Sequence, residues 1–367
     1  MKIGIDVRSM IGQKAGTGYY IYGLLLGLDQ IDRENEYYLY ANQEFEIELN
    51  NLKIQKKIIK IPSIFWHLFT IFDIFSNRLD LYHSTHSWII PSIIGVKTVT
   101  TIHDASSILF GDTHSLKIKT IARLLFKFGA ARTRMILTPS YAAKKDIVEI
   151  TKIPEKKVVV TYEAVDDNYK PSSQDEVIKI RQKYQLPEGF ILYNATLEPR
   201  KNAVRLIRAY HQIRKKYGVE NALVMVGKKG WLYEEIFGLV KSLGLEKDII
   251  FTGWVSDQDL PAIYTAASLL AYPSLFEGFG LSILKAFACG TPVVTSNVSS
   301  FPEVAGDAAI LVDPCDTNAL AEALWRIISD KKLTKELRQK GLDQVKKFSW
   351  EKMAKETLEV YKEVRFF

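Results

Sequence analysis

Cysteine is nearly absent from this chain. The two that occur, Cys289 and Cys315, are too few and too late for a disulfide framework or a four-ligand zinc site. The fold must therefore rest on its packed core, and a reducing compartment suits it. Long apolar runs are missing as well. The most apolar segment, Ile64 to Phe75, is 12 residues long and is broken by His67 and Asp73, whereas a spanning helix needs about 20, so nothing is expected to cross a membrane. Residues 1–10 lack the apolar stretch of a signal peptide and read as a buried first strand, which points to the cytosol. There is no short-period repeat and no low-complexity tract. No Asp-x-Asp motif and no cluster of His and Cys is expected at metal-ligand spacing, so neither a metal nor another cofactor is called for.

What is present is a chain of 367 residues, 47% hydrophobic and 25% charged, the proportions of a globular protein. A single core stops growing near roughly 250–300 residues, so this length predicts about two domains with a cleft between them. The net charge of +7 is unevenly placed. Residues 51–134 hold twelve Lys and Arg against four Asp, a local net of +8 that exceeds the total. Because these cations are not interleaved with aromatic residues in a nucleic-acid-binding motif, no nucleic-acid partner is expected.

Over the first 165 residues short apolar runs alternate with amphipathic stretches: Ile3–Val7, Tyr37–Tyr40, Lys57–Ile61, Leu79–Tyr82, Lys97–Ile102, Met135–Thr138 and Lys157–Thr161. This βα pattern predicts a mostly parallel sheet covered on both faces. After the polar, proline-bearing stretch Tyr169 to Ser173 the pattern restarts, with runs Phe190–Ala195, Ala222–Gly227, Ile249–Thr252, Leu269–Tyr272, Pro292–Ser296 and Ala309–Val312. An amphipathic helix from about Trp350 to Val364 closes the chain. Two doubly wound α/β halves place ligand sites at the carboxyl ends of their strands.

Two segments at such strand ends carry chemistry. After the run ending at Tyr272, a glycine-containing loop leads into a helix that starts near Gly280 and stops at Gly290. The amides of Phe279, Gly280 and Leu281 at that start favour an anion such as a diphosphate. Glu277, just before them, suits hydroxyls of whatever the phosphate carries, unless it is simply a helix-start residue. After the run ending at Ala195 come Arg200 and Lys201 behind Pro199. As a planar fork and a point charge they suit a diphosphate, or else they are solvated surface charge.

Both segments resemble signatures of glycosyltransferase family 4, the retaining group 1 enzymes of GT-B fold that use nucleotide-sugar donors. Further matches run in order along nearly the whole chain: Ile3 to Arg8 with Gly16-Thr17-Gly18, Thr101-Ile102-His103-Asp104, Leu137 to Ser140, Val226-Gly227, Phe251 to Val255 and Ser300 to Gly306. The resemblance implies two Rossmann-like domains facing a cleft. These are an acceptor domain over 1–170 and a nucleotide-sugar domain over 171–349, with a closing helix over 350–367 packing back toward the first. It also implies that Arg200 and Lys201 hold the donor diphosphate, that Glu277 contacts the transferred sugar and that Gly253, Trp254 and Val255 line the nucleobase. Gly18 would let the backbone approach phosphate or acceptor, and His103 would face the reacting sugar. As alternatives, Gly16 and Gly18 read as turn glycines and His103 as a core histidine.

Two positions depart from the family pattern. The family's second glutamate, separated from the first by seven residues, falls on Lys285. An ammonium has donors only and cannot accept from ribose hydroxyls. Asn194-Ala195 also stands where a strand-end glycine is common. His83, His86 and Trp88 lie at another strand end, as acceptor contacts or as an ordinary polar loop. The reading reached is a retaining transferase moving a mannose-like or glucose-like hexose from a nucleoside diphosphate sugar to a glycan or glycolipid acceptor in surface polysaccharide synthesis. Competing readings are a nucleotide-sugar sensor or scaffold, suggested by Lys285, and another GT-B enzyme such as an epimerase or phosphorylase. Lys119, Arg123 and Lys127 share one helical face beside apolar 121, 124, 125 and 128, which fits either an anionic membrane surface or an ordinary surface helix.

Overall fold

Each apolar run pairs with others of its kind because a strand buried on both faces can be nearly all apolar. In a computed structural model, which describes residues 1–12, 16–61, 63–85, 96–105 and 126–366, thirteen strands form two sheets, and every strand pairing is parallel. The contacts divide the chain into two units, Met1–Ala164 with Ser349–Phe367, and Val165–Phe348.

In the first unit the strands are β1 (Lys2–Asp6), β2 (Glu36–Ala41), β3 (Lys53–Ile58), β4 (Leu81–Ser84), β5 (Thr98–Thr101), β6 (Met135–Thr138) and β7 (Val158–Val160), in the order β3-β2-β1-β4-β5-β6-β7. In the second they are β8 (Ile191–Asn194), β9 (Leu223–Val226), β10 (Ile249–Gly253), β11 (Leu269–Tyr272), β12 (Val293–Ser296) and β13 (Ala309–Val312), ordered β10-β9-β8-β11-β12-β13. Both are doubly wound, and the order reverses at β1/β4 and at β8/β11.

Strand β3 begins at Lys53 rather than Lys57. It is an edge strand whose register on β2 runs Glu36↔Lys53 to Ala41↔Ile58, so its lysines face water and only its far end is apolar enough to show in the sequence. The boundary between units also falls earlier than the polar Tyr169–Ser173 stretch, because Tyr169 is buried and packs edge-on to Tyr264 within the second unit.

The closing helix, Trp350–Phe366, belongs to the first unit. It lies against the Gly16–Ile31 helix, where Gly23 and Gly27 sit one turn apart on the facing side. A Cβ at Gly23 would come within 2.3 Å of the Trp350 ring, and one at Gly27 within 2.2 Å of the Trp350 carbonyl oxygen. Glycine is required at both positions by this close approach.

Candidate functional site

At the reversal point of the second sheet two neighbouring strands end side by side, so the loops that leave them meet. The loop after β8 carries Glu198, Arg200 and Lys201, and the loop after β11 carries Ser274 and Glu277. Asn202, at φ +60° before the Ala203–Tyr217 helix, stitches the two together by donating to the carbonyls of Pro273 at 2.9 Å and Pro314 at 2.7 Å. The Leu275 amide and the Ser274 hydroxyl donate to the Arg200 carbonyl at 2.9 and 3.1 Å.

Glu277 is thereby surrounded. Its Oε1 accepts from the Lys201 ammonium, from Tyr272 OH at 2.9 Å and from Ser274 Oγ at 2.9 Å. Its Oε2 accepts from Arg200 Nη1 at 3.1 Å. Other Arg200 donors reach the Phe276 carbonyl at 2.8 Å and Glu198 Oε1 at 3.0 and 3.2 Å. Ser299 and Ser300 hydroxyls hold the Glu277 carbonyl at 2.6 and 3.0 Å. Burial alone would raise the Glu277 pKa, but Lys201 and Arg200 outweigh it and hold the carboxyl below its ordinary value. Glu277 is more than a helix-start residue, and the two cations are not solvated surface charge.

Gly280 precedes the Leu281–Ala288 helix with φ +106°, a conformation that suits glycine. Phe279 is buried, with its ring 5.8 Å from that of Phe348. Lys285, one turn into this helix, is buried and sits 4.6 Å from the centre of the Tyr169 ring. Burial pushes its pKa down to about 8, against the opposing pull of Asp257 and Asp166. At the end of β10, Gly253 has φ +72° where the ladder to β9 shifts register. The Trp254 ring is exposed and Val255 is buried, so of these two side chains only Trp254 is offered at the surface.

In the first unit Gly16 and Gly18 open the Gly16–Ile31 helix rather than a turn, and neither has positive φ. His103 follows β5. Its Nδ1 pairs with Glu163 Oε1 at 3.2 Å, its ring meets Tyr20 edge-on at 4.8 Å, and its Nε2 is buried with no hydrogen-bond partner among the described residues. A core histidine with both nitrogens satisfied is not what is found there. That description belongs to His83 on β4, fully buried between Tyr361 OH at 2.6 Å and Thr101 Oγ1 at 2.7 Å. Burial lowers its pKa to about 3, with a further contribution from His103, so it stays neutral and is no acceptor contact. His86, Trp88, Lys119, Arg123 and the apolar positions 121, 124 and 125 lie outside the described residues.

Some participants were not legible as such. Tyr272 and Ser274 stood inside the informative segment, but only their contacts reveal them as partners of Glu277. Glu163 carries one signal, an acid just past an apolar strand run. Asp257 and Asp259 form an Asp-x-Asp pair, so the expectation that the chain has none is incorrect. Asp259 accepts from Lys183, Tyr184 and Ser256 at 2.7, 2.7 and 2.8 Å, which marks it as a structural acceptor. No group of three His, Cys, Asp or Glu side chains suited to a metal occurs among the described residues.

The profile of Glycosyltransferase Family 4 matches residues 16–169 and that of Glycosyl transferases group 1 matches residues 176–344. O-antigen chain mannosyltransferase B of Escherichia coli is 36% identical over 268 residues, which are 72% of this chain and 70% of that protein. The chain belongs to glycosyltransferase family 4. This glycosyltransferase is also 34% identical over 225 residues to the serotype-specific mannosyltransferase WbdA of Escherichia coli, of whose length the match covers 27%. Anabaena HepE, solved with UDP-glucose, superposes with a TM-score of 0.81 at 18% identity over 99% of this chain and 100% of that one. WaaG, a glycosyltransferase involved in lipopolysaccharide biosynthesis, does so with 0.77 at 13% identity over 98% and 99%. These likenesses place the glycosyltransferase in the GT-B fold. In it, Arg200 and Lys201 are charge-assisted donors that converge on the one carboxylate of Glu277.

Proposed function

We propose that this glycosyltransferase moves a hexose, mannose before glucose, from a nucleoside diphosphate sugar to a hydroxyl of a glycan or lipid-linked glycan in surface polysaccharide synthesis, with retention at the anomeric carbon. The observation that carries the reading is the convergence of Arg200 and Lys201 with Glu277 at the β8/β11 reversal point. On this reading Arg200 and Lys201 take the diphosphate, and Glu277 exchanges part of its internal pairing for hydroxyls of the sugar. The departing phosphate oxygen assists removal of the acceptor proton on the same face. No metal has a role in this scheme, and the enzyme works on the cytoplasmic side against an anionic membrane surface. The mannosyltransferase names of relatives support mannose as the sugar.

Calorimetric titration with GDP-mannose and UDP-glucose, followed by the one-bond carbon–proton coupling at the anomeric carbon of the product formed on a mannose-terminated acceptor, tests this. GDP-mannose is expected to bind and to give the α product. Binding of neither donor, or a β product, overturns the corresponding part. Lys285 favours one second reading, a sensor that binds the donor without using it. Slow release of free sugar from donor alone excludes that reading.

A further inference from the structure

The Ser63–Ser76 helix has two apolar faces. Trp66, Thr70, Ile71 and Ile74 turn inward and are buried, Trp66 completely. On the other side Phe65, Leu68, Phe69, Phe72 and Phe75 remain between 52 and 72% exposed. Their spacing of three and four residues aligns them along one stripe. The helix has a single charged residue, Asp73, which points away from that stripe, accepting from Tyr40 OH at 2.7 Å and pairing with Lys57 at 3.9 Å. A helix apolar all round is ordinarily covered on every side, and five adjoining large apolar side chains in water mark a surface that docks on something.

We propose that this stripe docks on the surface of an anionic bilayer. With 14 residues the helix is too short to span, since a span takes about 20, and no helix among the described residues is long and apolar enough to cross a membrane. It suits an in-plane position with its stripe at the boundary of headgroups and acyl chains. The charges around it choose the occupant. The edge strand β3, which leads into the helix, exposes Lys53 and Lys56, Lys60 follows, and Arg78 lies just past the helix end, all solvent-exposed. Between Asn51 and Arg78 the sequence holds one acid, Asp73, already paired, while Lys60 pairs with Glu44 at 3.2 Å, which leaves Lys53, Lys56 and Arg78 to set the positive rim. A second copy of this chain on the same stripe would oppose one cationic rim to another, whereas anionic headgroups complement it. This stripe is separate from the 117–128 cations, most of which lie outside the described residues, and it deepens the reading of a membrane-side acceptor given above.

The test uses the full chain and vesicles of phosphatidylcholine with or without phosphatidylglycerol. Wild type is expected to float with the anionic vesicles and to release in high salt. The double variant Phe69→Ser, Phe72→Ser is expected to partition about tenfold or more weakly, with an unchanged melting temperature because both side chains are exposed. Lys53→Gln with Lys56→Gln is expected to abolish the preference for anionic lipid. Nucleotide binding and turnover on a water-soluble acceptor should be the same in all three. Wild type that ignores the vesicles, or an apolar variant that binds as well as wild type, overturns the proposal. So does light scattering that shows a dimer split by the apolar variant with no vesicle binding, which makes the stripe an interface between copies. Vesicle binding by an enzyme that uses no lipid-linked acceptor would instead leave this surface standing and remove the acceptor reading.

Discussion

Glu277 joins sites of opposite demand, because it must be charged to hold two cations and yet is buried. Replacing it by Gln keeps its shape and its contacts to Tyr272 and Ser274 while removing the charge. We expect turnover to fall by a factor on the order of 10²–10³ with a near-normal melt, and a similar fall for Lys201→Ala. Glu277→Ala should behave differently. It leaves Arg200 and Lys201 adjacent and half-desolvated, so a loss of roughly 3 kcal/mol accompanies the loss of activity. Near-normal steady-state turnover in Glu277→Gln would take this residue out of the site. In the first unit, Glu163 accepts from His103 Nδ1, while Nε2 is buried with no hydrogen-bond partner among the described residues. Glu163→Gln should lower kcat about tenfold or more while leaving nucleotide affinity in the second unit untouched. A nitrogen-15 spectrum of His103 in which the Nδ1-protonated form is equally populated in both proteins would contradict that positioning role.

At the scale of elements, two contacts decide more than their length suggests. Gly23 and Gly27 let the Trp350–Phe366 helix approach the Gly16–Ile31 helix. Gly27→Ala puts a methyl into a backbone carbonyl that has no rotamer by which to yield, so we expect about 1–3 kcal/mol of destabilisation, read as a lower denaturation midpoint with unchanged slope. An unaltered midpoint would mean the helices separate freely. The Leu281–Ala288 helix carries the second case. Lys285, at about 8 in the folded chain against an ordinary 10.5, binds a proton more readily when unfolded. Between those pH values the unfolded state holds the extra proton, so stability contributed by this group rises with pH and is lost again as pH falls toward 8. The span is of order 3 kcal/mol. Denaturation midpoints of wild type and Lys285→Met compared from pH 7.5 to 10 should diverge in wild type's favour as pH rises, and parallel curves would show that the amine is not buried in solution. Lys285→Glu would set a carboxylate where Asp166 and Asp257 already act, so restoring the family's glutamate spacing should cost stability.

For the whole molecule, the chain enters the first unit, leaves it after Ala164, and returns with Ser349. The second unit is continuous and has its own core, with Leu206, Ile207, Tyr210 and Ile213 of one helix packed against Leu320, Leu324 and Ile327 of another over the sheet. Ending the chain at Phe348 therefore removes part of the first unit only. Trp350 leaves the glycine pair, and His83 loses Tyr361. Calorimetry of that truncated chain should show the second unit melting as before and the first unit melting earlier or not at all. A single unchanged transition would contradict the division.

Sequence by itself determined what depends on a few neighbouring residues. Among the described residues, apolar runs placed twelve of the thirteen strands close to where they lie, and a glycine-containing loop marked the start of the helix at Leu281. Lys53–Ile58 was misplaced because an edge strand in water needs no apolar alternation over its full length. The residue types of the site were legible too, and order along the chain was enough to suggest the family. Partnership was not legible. Glu277 meets Lys201 across 76 residues only because β8 and β11 are neighbours in the sheet, and strand order is settled by which surfaces bury together rather than by any local pattern. The same holds for Lys285, whose departure from the family spacing was plain in the sequence. That its ammonium lies under Tyr169 and within the field of two carboxylates follows from packing, which alone sets burial and therefore charge.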